Sequence, residues 1–233
     1  MPCPGLGLNL ARSERPGDSA LILCFDCSTA ACTAALFAAD GTLIAARDEL
    51  ISRGHAERLV PMIADLLAEM PDGRVPTEII VGVGPGSFTG LRVAIAAAHG
   101  LAIGWDATLH GLPSLALLAA SAPGDEPVVA AMSGGHGELF VQAFDRSPFT
   151  ATSEPLNLTP RDAAALFATA TPVGSGALAL TEARGGTASA DLVPTAPDLV
   201  PTASAALRLP PSLRSLAPAP LYIRAPDARP KAA

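Results

Sequence analysis

Apolar and polar positions alternate in short blocks over the first half of the chain. Leu21 to Phe25 is an aliphatic run that ends in Asp26, Ser28 and Thr29, and apolar residues resume from Cys32 to Ala38. This pattern predicts two strands joined by a polar turn. Asp40-Gly41 is a hairpin signal, since both residues tolerate positive φ, and a third strand is expected over Thr42 to Asp48. From His55 the period changes: Leu59, Met62, Ile63, Leu66, Leu67 and Met70 recur at spacings of three and four, while Glu57, Arg58, Asp65 and Glu69 occupy other positions. That spacing predicts an amphipathic helix, with Ser52 as a candidate cap, Pro61 inside it and Pro71 just past its end. Its apolar stripe has two possible destinations, the chain's own sheet or a partner.

Glu78 to Val83 is short, apolar and bounded by Pro76 and Gly84, which suits a buried fourth strand. A glycine-rich turn follows, then a helix expected from about Phe88 to Gly104. That helix carries Ala94, Ala96, Ala97, Ala98, Gly100 and Ala102, so little side-chain bulk separates its backbone from whatever packs on it. The order strand, strand, strand, helix, strand, helix is half of an actin-like (ribonuclease H-like) α/β lobe pair. The second half is fainter. Strands are expected at Pro127 to Met132, Glu138 to Phe144, Thr150 to Leu156 and Thr171 to Gly174, and helices at Pro160 to Ala168 and Thr202 to Leu207. The implied organisation is a disordered tail over 1–20, a first lobe over 21–110, and a smaller second lobe with a C-terminal tail over 111–233.

Composition narrows the function classes. With 49% hydrophobic and 16% charged residues the chain is expected to fold, and with 4% aromatics its core must be aliphatic and alanine-rich. A formal charge of -7 leaves no basic field for gripping a phosphate backbone unaided, so positive surface for a nucleic acid would come from a partner. The nearly apolar stretch Val93 to Trp105 is shorter than the roughly 20 residues of a membrane span, and the first residues lack a signal-peptide pattern. A cytoplasmic protein with no membrane partner is the expectation. Cys24, Cys27 and Cys32 crowd the first strand pair, and reduced, buried thiols suit them better than a disulfide framework.

The most specific segment is Gly84-Pro85-Gly86-Ser87-Phe88-Thr89-Gly90-Leu91-Arg92. Its glycines permit positive φ and close backbone approach, Pro85 stiffens the turn, and Ser87 is placed to cap the coming helix. A turn of this kind either serves structure or presents amides to an anion, but no Lys-Ser/Thr pair follows Gly90, so it is not a GxxxxGK[ST] phosphate loop. Asp26, Ser28 and Thr29 sit where an actin-like kinase holds phosphate and metal, and they are equally ordinary turn residues. Cys24-x-x-Cys27 lacks a second ligand pair, and strand alternation sends the two thiols to opposite faces. His55, His99, His110 and His136 form no H-E-x-x-H or single-turn pair, so no metal site is read. Ser87, Ser114 and Ser133 are not in G-x-S-x-G, and no catalytic residue is assigned.

Leu23-Cys24-Phe25-Asp26-Cys27-Ser28-Thr29, Ser52-Arg53-Gly54-His55-Ala56-Glu57-Arg58-Leu59-Val60-Pro61 and Val81 to Arg92 together closely resemble the TsaB family, also called YeaZ. Ala97-His99-Gly100-Leu101-Ala102, Gly111-Leu112-Pro113-Ser114-Leu115 and Pro220-Leu221-Tyr222-Ile223-Arg224 extend the likeness, which is dense over 21–120 and patchy beyond. The resemblance implies a non-catalytic subunit that binds and activates TsaD, which transfers threonylcarbamoyl onto adenosine 37 of tRNA. It further implies TsaE as an associate, tRNA contact only through the complex, no intrinsic cofactor, and any ATP or ADP at the subunit interface. The family interface is a helical bundle. Carried over by position, it is the surface around His55, Leu59, Met62, Ile63, Leu66, Arg92, Ile95, Ala96 and His99, which also suits a homodimer. Ser133-Gly134-Gly135-His136 stands where many family members have Asp-Ala-Arg, so the charged turn of the family is not carried over to these positions. The competing readings are an actin-like ATP-dependent phosphotransferase or ATPase using Asp26 and the Gly84 to Gly90 turn, and a protease, which lacks a nucleophile or metal set here.

Overall fold

The computed structural model describes residues 20–70, 73–186 and 198–224. The expected tail before Ala20 and Pro71 lie outside the described residues, as does part of the region after Gly185. The first sheet is built from β1 (Leu21–Asp26), β2 (Ala31–Ala38), β3 (Leu43–Leu50), β4 (Glu78–Gly82) and β5 (Thr108–Leu112), in the order β3-β2-β1-β4-β5. Strands β1, β2 and β3 pair antiparallel, while β4 pairs parallel with both β1 and β5. That mixed order is the actin-like, ribonuclease H-like arrangement expected from the element sequence.

Strand β1 is buried along its whole length because it has a layer on each side. Leu21, Leu23 and Phe25, with Leu36, Ile79 and Val81, face α1 (His55–Leu67) and α2 (Phe88–Trp105). Ile22 and Cys24, with Ala35, Phe37 and Ile80, face α3 (Ser114–Ser121) and a 3-10 turn, Ala203–Arg208. Side chains alternate across a strand, so a two-sided burial demands a continuous apolar run, which is what the sequence carries there.

The second, smaller sheet comprises β6 (Val128–Gly135), β7 (Glu138–Arg146), β8 (Phe149–Ala151) and β10 (Thr171–Val173) in the order β10-β6-β7-β8, with β9 (Leu156–Leu158) also on β7. Val128, Ala130, Met132, Phe140 and Phe144 point at α3, while Val129, Ala131, Leu139 and Val141 pack with α4 (Pro160–Leu166) and α5 (Ala177–Ala183). The layers therefore run α1/α2, first sheet, α3 with the 3-10 turn, second sheet, α4/α5. Helices α1 and α2 sit on the side of the first sheet away from the second. The strand expected over Thr150 to Leu156 is two short strands, β8 and β9, and the helix expected over Thr202 to Leu207 is a 3-10 turn.

A strap closes the chain. Leu216 bridges to Gly111, Leu221 N donates to Val83 O at 2.7 Å, and Arg224 Nη1 donates to Gly134 O at 2.6 Å, tying the first sheet to the turn of the second. Gly111 is required under it, since a Cβ there would lie 2.7 Å from Ala217 O.

Candidate functional site

The parallel strands β1, β4 and β5 end together, and in open α/β sheets that edge is where ligands bind. Here it is filled by the chain's own groups. Asp26, at the end of β1 and 1% exposed, accepts at Oδ1 from Ser28 N (2.7 Å) and Ser28 Oγ (2.6 Å), and at Oδ2 from Ser114 Oγ (2.6 Å). Ser114 Oγ accepts in turn from Gly84 N at 3.1 Å. One carboxylate thus ties the first hairpin, the glycine-rich turn and α3. Burial pushes the Asp26 carboxyl above its ordinary range, opposed by the donors on Ser114 and Ser28 and by the charge of His55.

The glycines of the turn answer to this packing. A Cβ at Gly86 would come within 2.3 Å of Ser28 O and one at Gly90 within 2.0 Å of Cys27 O, so the turn lies backbone to backbone on the hairpin. Two of its amides are spent internally: Ser87 N donates to Ser28 O at 2.7 Å, and Gly90 N to the capping Ser87 Oγ at 3.2 Å. Pro85 is buried at the turn's centre, while Phe88 and Thr89 open α2 at the surface. Thr29 Oγ1 accepts from Ala31 N, the ordinary turn role. Asp26 and Ser28 are buried beneath the turn while Thr29 is half-exposed, so phosphate or metal would reach Asp26 only by opening the turn. Cys24 and Cys27 do lie in cores on opposite faces of the sheet, and Cys27 and Cys32 approach at 3.7 Å between sulfurs, both buried.

The helix pair divides the expected interface in two. Leu59, Met62, Ile63 and Leu66 are at most 2% exposed and Ile95 is 7% exposed, all packed on the first sheet. They are corrected from interface to core, since a side chain already enclosed by its own sheet offers nothing to a partner. His55 is likewise interior: its Nε2 lies 3.0 Å from Thr29 O, pinning the start of α1 to the first hairpin. Gly54, at φ 88°, is the N-cap of α1 in place of Ser52.

Arg92, Ala96 and His99, by contrast, are exposed, and with Phe88 and Ile103 they follow spacings of four, four, three and four along one stripe of α2. Phe88 is 54% exposed and Ile103 83% exposed. Gly100 and Gly104 lie beside this stripe, and an added Cβ at either meets nothing within 4 Å. On α1, Val60 is 51% exposed, with the exposed Pro61 and Ala64. At one end Arg92 stacks 3.7 Å over the Phe88 ring and donates through Nε to Tyr222 Oη at 3.2 Å, and Phe88 and Tyr222 stack at 5.8 Å. His99 reaches Pro218 O at 3.3 Å, so the strap flanks the stripe.

Sequence reasoning missed Val60, Ile103 and Tyr222 as members of this surface, while Gly100 was among the small residues it singled out on this helix. The signal for Ile103 was present, since it stands four residues after His99 on the same face. Helix α2 is also long and apolar enough, by length and composition, to cross a membrane, but its Leu91, Ala94, Ile95 and Ala98 are docked on the first sheet. In the second sheet the turn Ser133 to Gly137 is exposed or half-exposed, with Arg224 held between Gly134 O and Glu138. Among the described residues no group of three or more His, Cys, Asp or Glu side chains is arranged to hold a metal.

A model of the family described as TsaD: tRNA N6-adenosine threonylcarbamoyltransferase matches residues 47–171, more than half of the chain. The tRNA threonylcarbamoyladenosine biosynthesis protein TsaB of Escherichia coli is 38% identical over 131 residues, 54% of this chain and 55% of that protein. The Haemophilus influenzae protein of the same name is 37% identical over 124 residues, 51% of each. The match thus spans about half the length of these curated relatives. The solved structure of YeaZ from Pseudomonas aeruginosa superposes with a TM-score of 0.70 at 27% identity, covering 87% of this chain and 99% of that one. With a family model matched over residues 47–171 and a superposition that covers 87% of its length, the chain belongs to the TsaD family that the model describes and, within it, to the TsaB (YeaZ) group.

Proposed function

We propose that this chain is a non-catalytic cytoplasmic subunit that binds TsaD and activates it in forming threonylcarbamoyladenosine on tRNA. The observation that carries the reading is the exposed stripe Phe88, Arg92, Ala96, His99 and Ile103, with the glycines beside it. A glycine inside a helix costs about 1 kcal/mol relative to alanine. Among the described residues no atom comes within 4 Å of a Cβ added at Gly100 or Gly104. Close approach of another helix gives those two positions a purpose, and phenylalanine and arginine are among the side chains in which interfaces are enriched. The match of this chain to a TsaD model supports a partner of related fold, able to offer an equivalent helix pair. In this reading TsaE joins as a further associate, tRNA is reached only through the complex, and ATP or ADP binds between subunits, since Asp26 is enclosed. The free chain pairs with itself through the same stripe.

Co-purification with the cognate TsaD tests the proposal. The expected result is a stoichiometric complex that raises TsaD-dependent tRNA modification. No complex, together with full modification in cells lacking this protein, would sink it. Magnesium-dependent ATP binding by the isolated chain would instead revive the phosphotransferase reading.

A further inference from the structure

Away from the α2 stripe, the C-terminal end of α3 borders an open cavity of about 560 Å³ whose wall includes Arg146, Arg208, Phe149, Pro123 and Asp125. Arg146, at the end of β7, donates through Nη1 to Pro123 O at 2.9 Å and through Nη2 to Ala122 O at 2.5 Å. Arg208, closing the 3-10 turn, donates through Nη1 to Ala120 O at 3.1 Å. Ala120 O is one of the terminal carbonyls that a helix end leaves without partners, Ala122 is the C-cap and Pro123 follows it, and the negative character of this end favours a cation. Capping accounts for one guanidinium. It does not account for two, brought from separate elements into one cavity where they repel each other.

A guanidinium has five N–H donors, and three nitrogens of the pair are spent on carbonyls, so most donors remain. Neither arginine forms an ion pair with a carboxylate among the described residues; Asp125 stands in the wall and offsets part of one charge. In a chain with a formal charge of -7, two adjacent cations with no ion pair among the described residues are a departure from the surface as a whole. The carbonyl contacts hold the two planar groups in place, so little side-chain freedom is left to lose on binding, and the N–H donors not spent on carbonyls suit the oxygens of a phosphate. Phe149, braced by Phe144 at 5.5 Å between ring centres, supplies an apolar wall, and a cavity of this size takes a small molecule.

We propose that Arg146 and Arg208 form a binding site for the phosphate monoester of a small molecule, whose apolar or ring portion rests on Phe149. Calorimetric titration of the full chain with inorganic phosphate, with AMP, and with an RNA hexamer lacking terminal phosphates tests it. The expected result is saturable one-to-one binding of AMP, weaker binding of phosphate and none of the hexamer. Arg208→Gln keeps a neutral donor for Ala120 O, so its thermal melt should stay close to that of the wild type while AMP affinity falls at least tenfold. Arg146→Lys, which retains charge but loses the fork, should lose a similar factor. The site is refuted if AMP and phosphate fail to bind at millimolar concentration, or if Arg208→Gln binds AMP like the wild type. Tighter binding of the hexamer than of AMP would refute it too, pointing to RNA backbone.

Discussion

Helices α1 and α2 carry apolar residues on two sides, and the two sides have opposite surroundings. On the inner side Leu59, Met62, Ile63 and Leu66 of α1 and Leu91, Ala94, Ile95 and Ala98 of α2 are enclosed by the first sheet. On the outer side Val60, Ala96, Gly100 and Ile103 stand in water. The difference teaches that apolarity alone does not mark an interface. The strongest periodic stripe of an amphipathic helix is the one its own sheet claims, because burying each large aliphatic side chain stabilises by about 1.5–3 kcal/mol and the nearest apolar surface is intramolecular. What remains for a partner is the weaker stripe, recognisable by small residues and glycines with no internal neighbour.

The comparison breaks most visibly on the inner side. Leu59→Asp would bury an unpaired charge and should leave no folded protein by circular dichroism, whereas Met62→Ala should fold with a loss of about 2–5 kcal/mol in urea denaturation. A Leu59→Asp variant that melts like the wild type would place that side chain outside the core.

Asp26→Ala comes next. It strands the hydroxyls of Ser28 and Ser114 and the Ser28 amide, each buried donor costing about 1–3 kcal/mol. A drop of several kcal/mol in stability is expected without any change in nucleotide binding. Because burial raises the folded carboxyl's pKa above the unfolded value, its contribution favours folding below the unfolded pKa and is lost as pH rises through the folded one. The wild type should therefore gain stability relative to Asp26→Asn as pH is lowered from neutrality. A gap that shrinks instead would reverse the assignment.

On the outer side the effects should separate stability from pairing. Ala96→Arg and Ile103→Asp are surface changes and should shift the folding free energy by no more than about 0.5 kcal/mol. Both should abolish co-elution with TsaD in size-exclusion chromatography; retained pairing would mean that the partner sits elsewhere. The smallest effect sharpens the contrast further. Gly100→Ala should stabilise the isolated chain by about 0.5–1 kcal/mol, since nothing crowds the new methyl group, while measurably weakening the complex.

Strands β1 to β4 and helices α1 and α2 were legible because each has one period and one face, or a short apolar run between turn residues. Helix α3 was not. All of its residues from Ser114 to Ala120 are buried between two sheets, so it has no polar face and no 3.6-residue rhythm to betray it. Strand β5, with His110 and Gly111, and α5, only seven residues long, were hidden by weak local preference. Among site residues, Asp26 and the glycines of the turn announced themselves as special backbone and polar positions. Their purpose did not, since the contacts of Gly86 with Ser28 and of Ser114 with Asp26 join residues far apart in the chain.

By itself the sequence determined the succession of strands and helices, the places where only glycine lets backbone pass, and an amphipathic helix needing cover. Only the tertiary structure decided that the cover is the chain's own sheet, that Asp26 is sealed under Ser28 and Ser114, and that Ile103 is left outside. The physical reason is that periodicity records how many faces are apolar, whereas burial depends on what arrives from elsewhere in the chain to lie against them.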